Sequence, residues 1–266
     1  MKEFVFQERG IAYRKNDFLI GRQTLVFIHG LSGSSSAWFP YEKIFSDKYN
    51  LLTLDLRGHG KSGKPKKYAD YEIEKSAGDV YELLQHLRIE TCILVSHSYG
   101  ALVALELLVA HQGKVSATIF LSPTAFLGKT RWSLPVRTVG RGVALLSRLL
   151  PFHPRIHGRV DYSRYLPTSD WDLRRVPRDI YNTGVRVYLY CLVQAYAKNY
   201  DLVWKNVRIP TLIMHGTSDS YVPFAHSVQL SKEISNSKLV LLENANHIIV
   251  LNNVSEVSKH IENFIA

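Results

Sequence analysis

Two short extended runs, Phe4-Val5-Phe6 and Ile11-Ala12-Tyr13, open the chain on either side of Gln7-Glu8-Arg9-Gly10, a spacing that predicts an edge hairpin. The pattern then changes to continuous apolar or β-branched runs: Thr24 to Ile28, Asn50 to Leu56, Thr91 to Val95, Val115 to Leu121, Pro210 to His215 and Lys238 to Leu242. Most are followed by helical periodicity. Runs without polar alternation suit strands buried on both faces, so the predicted fold is α/β, a doubly wound, mostly parallel sheet. Between Thr124 and Ile209 the alternation stops, and helical periodicity broken by Pro135, Pro151, Pro154, Pro167 and Pro177 takes over. The organisation expected is a core from residues 1–123 and 209–266 with a helical insertion at 124–208.

Composition narrows the class. The chain has 266 residues, 46% of them hydrophobic, enough for one large domain with an excursion. No apolar stretch reaches the ~18 residues of a membrane span, because Ala101 to Ala110 is cut by Glu106 and ends at His111-Gln112-Gly113. Met1-Lys2-Glu3-Phe4 leads into no apolar h-region, and the chain is expected to be cytoplasmic. The two cysteines, Cys92 in a predicted core strand and Cys191 in a helical region, fit free thiols. Burial at Cys92 disfavours the thiolate, which makes it a poor nucleophile.

In a doubly wound sheet, sites form beyond the C-terminal ends of the strands. The polar motifs fall there: His29-Gly30-Leu31-Ser32-Gly33, Asp55-Leu56-Arg57-Gly58-His59-Gly60, Ser96-His97-Ser98-Tyr99-Gly100, Asp219 and His247. Ser98 sits at a tight strand-to-helix turn between Cys92-Ile93-Leu94-Val95 and the run from Ala101, where a hydroxyl is held out on a strained backbone facing a helix N-terminus. Ser96 stands where the usual pattern has glycine. A serine nucleophile needs a base within hydrogen-bond reach and a third group to orient that base. His29, His59, His97, His215 and His247 all lie near strand ends and compete for the first role, whereas Asp219 stands in a strand-to-helix loop suited to the second. Tyr99 N–H, following the nucleophile, is a candidate oxyanion donor.

Through His29-Gly30, Asp55 to Ser62, Ser96 to Gly100, Gly216-Thr217-Ser218-Asp219 and Asn246-His247, the sequence resembles the α/β-hydrolase superfamily over nearly its whole length, in particular serine esterase and lipase-like members with a helical cap. The resemblance implies an acid-base-nucleophile set of Asp219, His247 and Ser98, in the chain order this fold uses. It also implies a second oxyanion donor at Leu31 N–H, loop-shaping roles for His29 and His59, and a cap at 124–208. Some members carry the acid after the earlier strand, but Leu121-Ser122-Pro123-Thr124-Ala125 has no carboxylate. Arg57 is expected to pair with a neighbouring carboxylate beneath the site.

Charge is concentrated in the insertion. Residues 129–208 carry 15 Lys and Arg against 5 Asp, and this surplus of ten equals that of the whole chain, 33 minus 23. Twelve of the fifteen are arginine, which points to an anionic partner. In Val136 to Leu150, Arg137, Arg141 and Arg148 share one helical side, opposite Val139, Val143, Leu146 and Leu150. The favoured reading seats the apolar side on the core with the arginines solvated; the other lays the helix on an anionic lipid surface. No aromatic-basic module accompanies the charge, so nucleic acid is not expected. His153 and His157 have i, i+4 spacing but lack a third ligand, and neither metal nor cofactor is expected. The expected activity is hydrolysis of a carboxylic ester through an acyl-enzyme, with a lipid-like or anionic ester such as a monoacylglycerol or lysophospholipid as the small-molecule substrate. Thioester, lactone and carbon-carbon bond hydrolysis, or ligand reception on the same scaffold, remain open at this stage.

Overall fold

The computed structural model describes residues 1–127, 133–149, 158–197, 200 and 202–266. Eight strands form one sheet in the order β1-β2-β4-β3-β5-β6-β7-β8: β1 (Lys2–Phe6), β2 (Ile11–Lys15), β3 (Thr24–Ile28), β4 (Asn50–Leu54), β5 (Cys92–His97), β6 (Val115–Leu121), β7 (Thr211–Gly216) and β8 (Ser237–Leu242). The predicted hairpin is the β1–β2 pair, with Phe6 opposite Ile11, and β2 runs antiparallel to β4. All other pairings are parallel.

Every residue of β3, β4, β5 and β7 is buried, as uninterrupted apolar runs require. The pleat divides them. Val26 and Ile28 join the layer that holds α2 (Ile73–His86) and α3 (Gly100–His111), whereas Leu25 and Phe27 join the opposite layer with α1 (Phe39–Phe45) and α10 (Val254–Ile265). Each fully buried large side chain contributes roughly 1.5–3 kcal/mol of transfer free energy, so these two layers supply most of the drive to fold. Helix α3 is buried from Gly100 to Leu108, which suits the run of alanine, leucine and valine that follows the Ser98 turn.

Between β6 and β7 the chain leaves the sheet and forms helices: α4 (Ser133–Thr138), α5 (Gly140–Leu146), α6 (Arg175–Thr183) and α7 (Val185–Ala197). The single helix expected over Val136 to Leu150 is therefore broken at Val139, and Leu150 and the Arg137 side chain lie outside the described residues. Its orientation also differs from the favoured expectation. Val139, Val143 and Leu146 face solvent, while Ala144 and Ser147 are buried and Gly140 lies against Val193 of α7. Small side chains allow close approach, so they seat this helix and the larger ones turn outward. The insertion is tied to the core by Arg159, whose Nε donates to Asp55 Oδ2 at 2.9 Å and whose guanidinium also pairs with Glu3. After β7 come α8 (Phe224–Glu233), and after β8 the short α9 (Ile249–Asn252) before α10. Among the described residues, no helix is long and apolar enough to cross a membrane. Cys92 and Cys191 are free and buried, and burial pushes both thiols up to about 12.

Candidate active site

The β5-to-α3 turn is as tight as its sequence suggests. Ser98 has φ of 52°, a left-handed conformation that non-glycine residues rarely adopt, and its N–H donates to Leu121 O of β6 at 3.0 Å. The turn closes because Gly100 has no side chain: a Cβ there would lie 2.6 Å from the carbonyl oxygens of both Ile28 and His29. Ser96, buried at the end of β5, takes the place of the customary glycine without opening the turn.

His247 Nε2 lies 2.8 Å from Ser98 Oγ, and His247 Nδ1 lies 2.6 Å from Asp219 Oδ2. The three side chains thus form one hydrogen-bonded line from loops after β5, β7 and β8. The β7 and β8 loops meet because Gly216 again leaves room: a Cβ there would sit 2.3 Å from Ala245 O. Asp219 Oδ1 accepts Tyr221 and Val222 N–H, both at 2.8 Å, which fixes the carboxylate on its own turn. Asp219 does not cap the following helix, since α8 begins only at Phe224 after Pro223. Burial alone would raise the Asp219 pKa. Hydrogen bonds from His215 and His247 overcome that and hold the carboxyl well below its usual range.

The competing histidines have other work. His29 is buried, with Nδ1 donating to Gly30 O at 2.7 Å and Nε2 accepting Leu56 N–H at 3.0 Å; burial lowers its pKa to about 4. His59 donates from Nδ1 to Arg57 O, and burial followed by the nearby His29 lowers it to about 3. His97 is likewise lowered to about 3, first by burial and then by His247, and donates from Nε2 to the His247 carbonyl at 3.1 Å. All three are neutral shaping groups. His215 meets the same oxygen of Asp219 as His247 does, with Nε2 2.8 Å from Oδ2. The Asp55 motif forms a buried floor: Asp55 accepts Ser35 and Lys61 N–H, and Arg57 makes a bidentate pair with Asp79 at 2.7 and 2.6 Å.

The line opens into a cavity of about 360 Å³, within the small-molecule range of about 300–1,000 Å³. Leu31 and Tyr99 both line it beside Ser98, and no acceptor among the described residues takes either N–H. The insertion supplies much of the wall, including Trp171, Ile180, Tyr188, Leu192 and Tyr196. Arg175 is the one lysine or arginine on the wall among the described residues, and its side chain makes four hydrogen bonds within the insertion. Its Nη1 donates to Asp179 at 2.7 Å, Nε to Thr168 Oγ1, and Nη2 to the carbonyls of Ser169 and Asp170. No cluster of metal-ligating side chains occurs among the described residues, which do not include His153 to His157.

One residue at the site was not singled out from the sequence. Asp170, in the insertion and only 4% exposed, accepts His247 N–H on Oδ1 at 2.9 Å and both Ser220 N–H and Ser220 Oγ–H on Oδ2 at 2.9 and 2.8 Å. It therefore joins the loop of Asp219 to the loop of His247. Its neighbour Thr168 is fixed to the same region, its carbonyl accepting the side-chain amides of Asn246 and Asn252 at 2.7 Å each.

A mostly parallel α/β sheet with a part-buried serine at a strand-to-helix turn, and a histidine and an aspartate on neighbouring loops, defines a hydrolase-like class. Residues 23–254 match the alpha/beta hydrolase fold family, and the chain belongs to it. It is similar to epoxide hydrolase 1 of Caenorhabditis elegans, 24% identical over 266 residues covering 91% of this chain and 64% of that protein. It is also similar to probable lysophospholipase BODYGUARD 1 of Arabidopsis thaliana, 25% identical with coverage of 91% and 58%. The chain thus spans less than two thirds of the length of either. A thermophilic esterase from Thermogutta terrifontis, solved with malate bound, superposes with a TM-score of 0.72 at 18% identity, over 96% of this chain and 93% of that one. That likeness is one of fold.

Proposed function

We propose that the protein is a serine hydrolase that cleaves carboxylic esters with an apolar acyl group. The observation that carries this is the unbroken line Asp219–His247–Ser98, with bonds of 2.6 and 2.8 Å, at the base of a mainly apolar cavity. An ionised Asp219 accepts the Nδ1 proton of His247 and leaves Nε2 as the base. His247 Nε2 takes the hydroxyl proton as Ser98 Oγ attacks the ester carbonyl. Leu31 and Tyr99 N–H groups, both unengaged, receive the oxygen that becomes negative. Collapse of the tetrahedral adduct expels the alcohol, which takes its proton from His247. Water attacks the acyl-Ser98 ester by the same route and restores the hydroxyl.

The same line argues against epoxide opening as the activity of this chain. A carboxylate that opens an epoxide makes an ester, which water can cleave at its carbonyl. A serine hydroxyl in that position would make an ether, with no carbonyl to attack, and the protein would be consumed in one event. The cavity also narrows the expected substrate. Arg175 is paired with Asp179 and directs Nε, Nη1 and Nη2 to groups of the insertion, so its charge is already compensated before a substrate enters. A neutral lipid-like ester such as a monoacylglycerol fits it better than an anionic one. The test is intact mass after treatment with a fluorophosphonate, on the native chain and Ser98→Ala, followed by a panel of neutral esters of increasing acyl length. A single adduct absent from the variant and multiple turnovers are expected. An adduct at another residue, or a burst without turnover, would replace this reading with another nucleophile or with a binding role.

A further inference from the structure

We infer that the outward face of α4, α5 and the turn Ser147–Leu149 docks on an anionic lipid surface. Within these 17 residues, Leu134, Val139, Leu146 and Leu149 are 60–84% exposed, and Val143 and Leu145 are also exposed. Scattered single apolar residues are normal on a surface, but six large ones on one short helical segment form a patch of the kind that marks an interaction site.

The local packing explains why they face outward. Gly140, Ala144 and Ser147, spaced four and three apart, form the inner side of the segment; Ala144 and Ser147 are buried, and Gly140 abuts Val193. Val139, Leu146, Leu149 and Leu145 then occupy the outer arc. Arg141 and Arg148, seven residues apart and both exposed, lie together at the Leu145 edge of that arc, away from Val139 and Leu146, and neither makes an ion pair among the described residues.

Charge selects the partner. From Leu107 to Val160 the sequence contains no Asp or Glu, while Arg141 and Arg148 adjoin the apolar arc on its Leu145 side. A second copy docked face to face would bring like charges together. An anionic bilayer instead accepts the apolar side chains below its headgroups and the guanidinium groups beside its phosphates, the arrangement of interfacial amphipathic helices. The exposed face supplies both elements, apolar area and two exposed arginines at its edge.

The test uses the full chain in sedimentation with phosphatidylcholine vesicles, with and without phosphatidylserine, at low and high salt. The native chain is expected to partition onto the phosphatidylserine vesicles, and salt should release it. Arg141→Gln with Arg148→Gln should weaken partition by about 25-fold at low salt, from roughly fivefold per charge. Leu146→Ser with Leu149→Ser should abolish it, with circular dichroism and unfolding temperature retained in both variants because the side chains touch solvent. No binding, equal binding to neutral vesicles, or binding unchanged in the leucine variant overturns the inference. A native dimer that the leucine variant turns into monomer, without vesicle binding, would instead make this face a contact between copies.

Discussion

Asp170→Asn changes one atom of a buried side chain, yet it should slow acylation of Ser98 substantially. The carboxylate receives three donors, from His247 N–H, Ser220 N–H and Ser220 Oγ–H, at 2.8 to 2.9 Å. An amide offers one oxygen and two N–H groups. Whichever way it turns, an N–H of the amide faces an N–H of the chain, so at least one loop loses its acceptor. A hydrogen bond to a charged group is worth about 1.5–3 kcal/mol, and leaving a buried donor unpaired costs a similar amount. If the loss falls on the relative placement of the Asp219 and His247 loops, the barrier rises by that amount, about 10- to 150-fold in rate.

The readout is the second-order rate of fluorophosphonate labelling at Ser98, with ester kcat and KM alongside. The fall should appear in labelling and kcat, with KM little changed. The pH profile should move as well, because the Nδ1 proton shared between His247 and Asp219 would be held less well; its downfield proton resonance should shift or broaden. A variant with a lowered unfolding temperature but a native labelling rate, pH profile and resonance would mean that Asp170 only stabilises the fold, and the positioning argument would fail.

Three other perturbations probe the same site and its frame. Asp219→Asn should keep the fold but reduce turnover by about 10⁴, because the amide no longer holds His247 in the Nδ1–H tautomer; activity within tenfold of native would remove Asp219 from the proposed set. Lowering pH from about 7 to 5 should destabilise the chain. His29, held at about 4, and His59 and His97, held at about 3, remain neutral when folded, whereas the unfolded chain protonates them near the ordinary 6.5. Their contribution is therefore complete above that value and declines below it, by up to about 1.4 kcal/mol for each unit of displacement. Asp179, raised to about 6 by burial, works in the opposite sense below that pH, as does Asp79, also raised by burial, so the drop is the net of three rings against these two carboxyls. The unfolding temperature should drop across this range, less so in His59→Asn, and a flat profile in the native chain would contradict the burial of these rings. Gly100→Ala should lose stability, because its Cβ would lie 2.6 Å from two backbone oxygens. Overpacking of this kind costs about 1–3 kcal/mol, and an unchanged urea midpoint would show that the Ser98 turn can relax.

The legible part of this chain is the part governed by local pattern. Continuous apolar runs marked the inner strands, and Ser98, Asp219 and His247 stand just past the ends of β5, β7 and β8, where a parallel sheet brings loops together. Asp170 carried no such signal. Its partners are 50 and 77 positions away, and nothing periodic relates the insertion to the core. The facing of α5 differs from its sequence expectation for a different reason: the rule that large apolar residues point inward gives way here to close packing by small ones. The small residues Gly140, Ala144 and Ser147 recur at helical spacing, and that stripe was the available sign of close packing against α7.

The position of charge links these observations. A surplus of ten on the insertion suggested an anionic substrate, but the residues that line the cavity argue for a division of labour. Inside, Arg175 is neutralised by Asp179 and bound to backbone carbonyls, while Arg159 is spent on Asp55 and Glu3. Outside, Arg141 and Arg148 border an apolar face with no acidic residue nearby in sequence. An arginine that served the reaction would need free donors directed into the cavity; an arginine that served adsorption would need to be exposed beside apolar area. Arg159 and Arg175 on one side, and Arg141 and Arg148 on the other, divide along that line, which fits the proposed docking face outside and the proposed neutral ester inside.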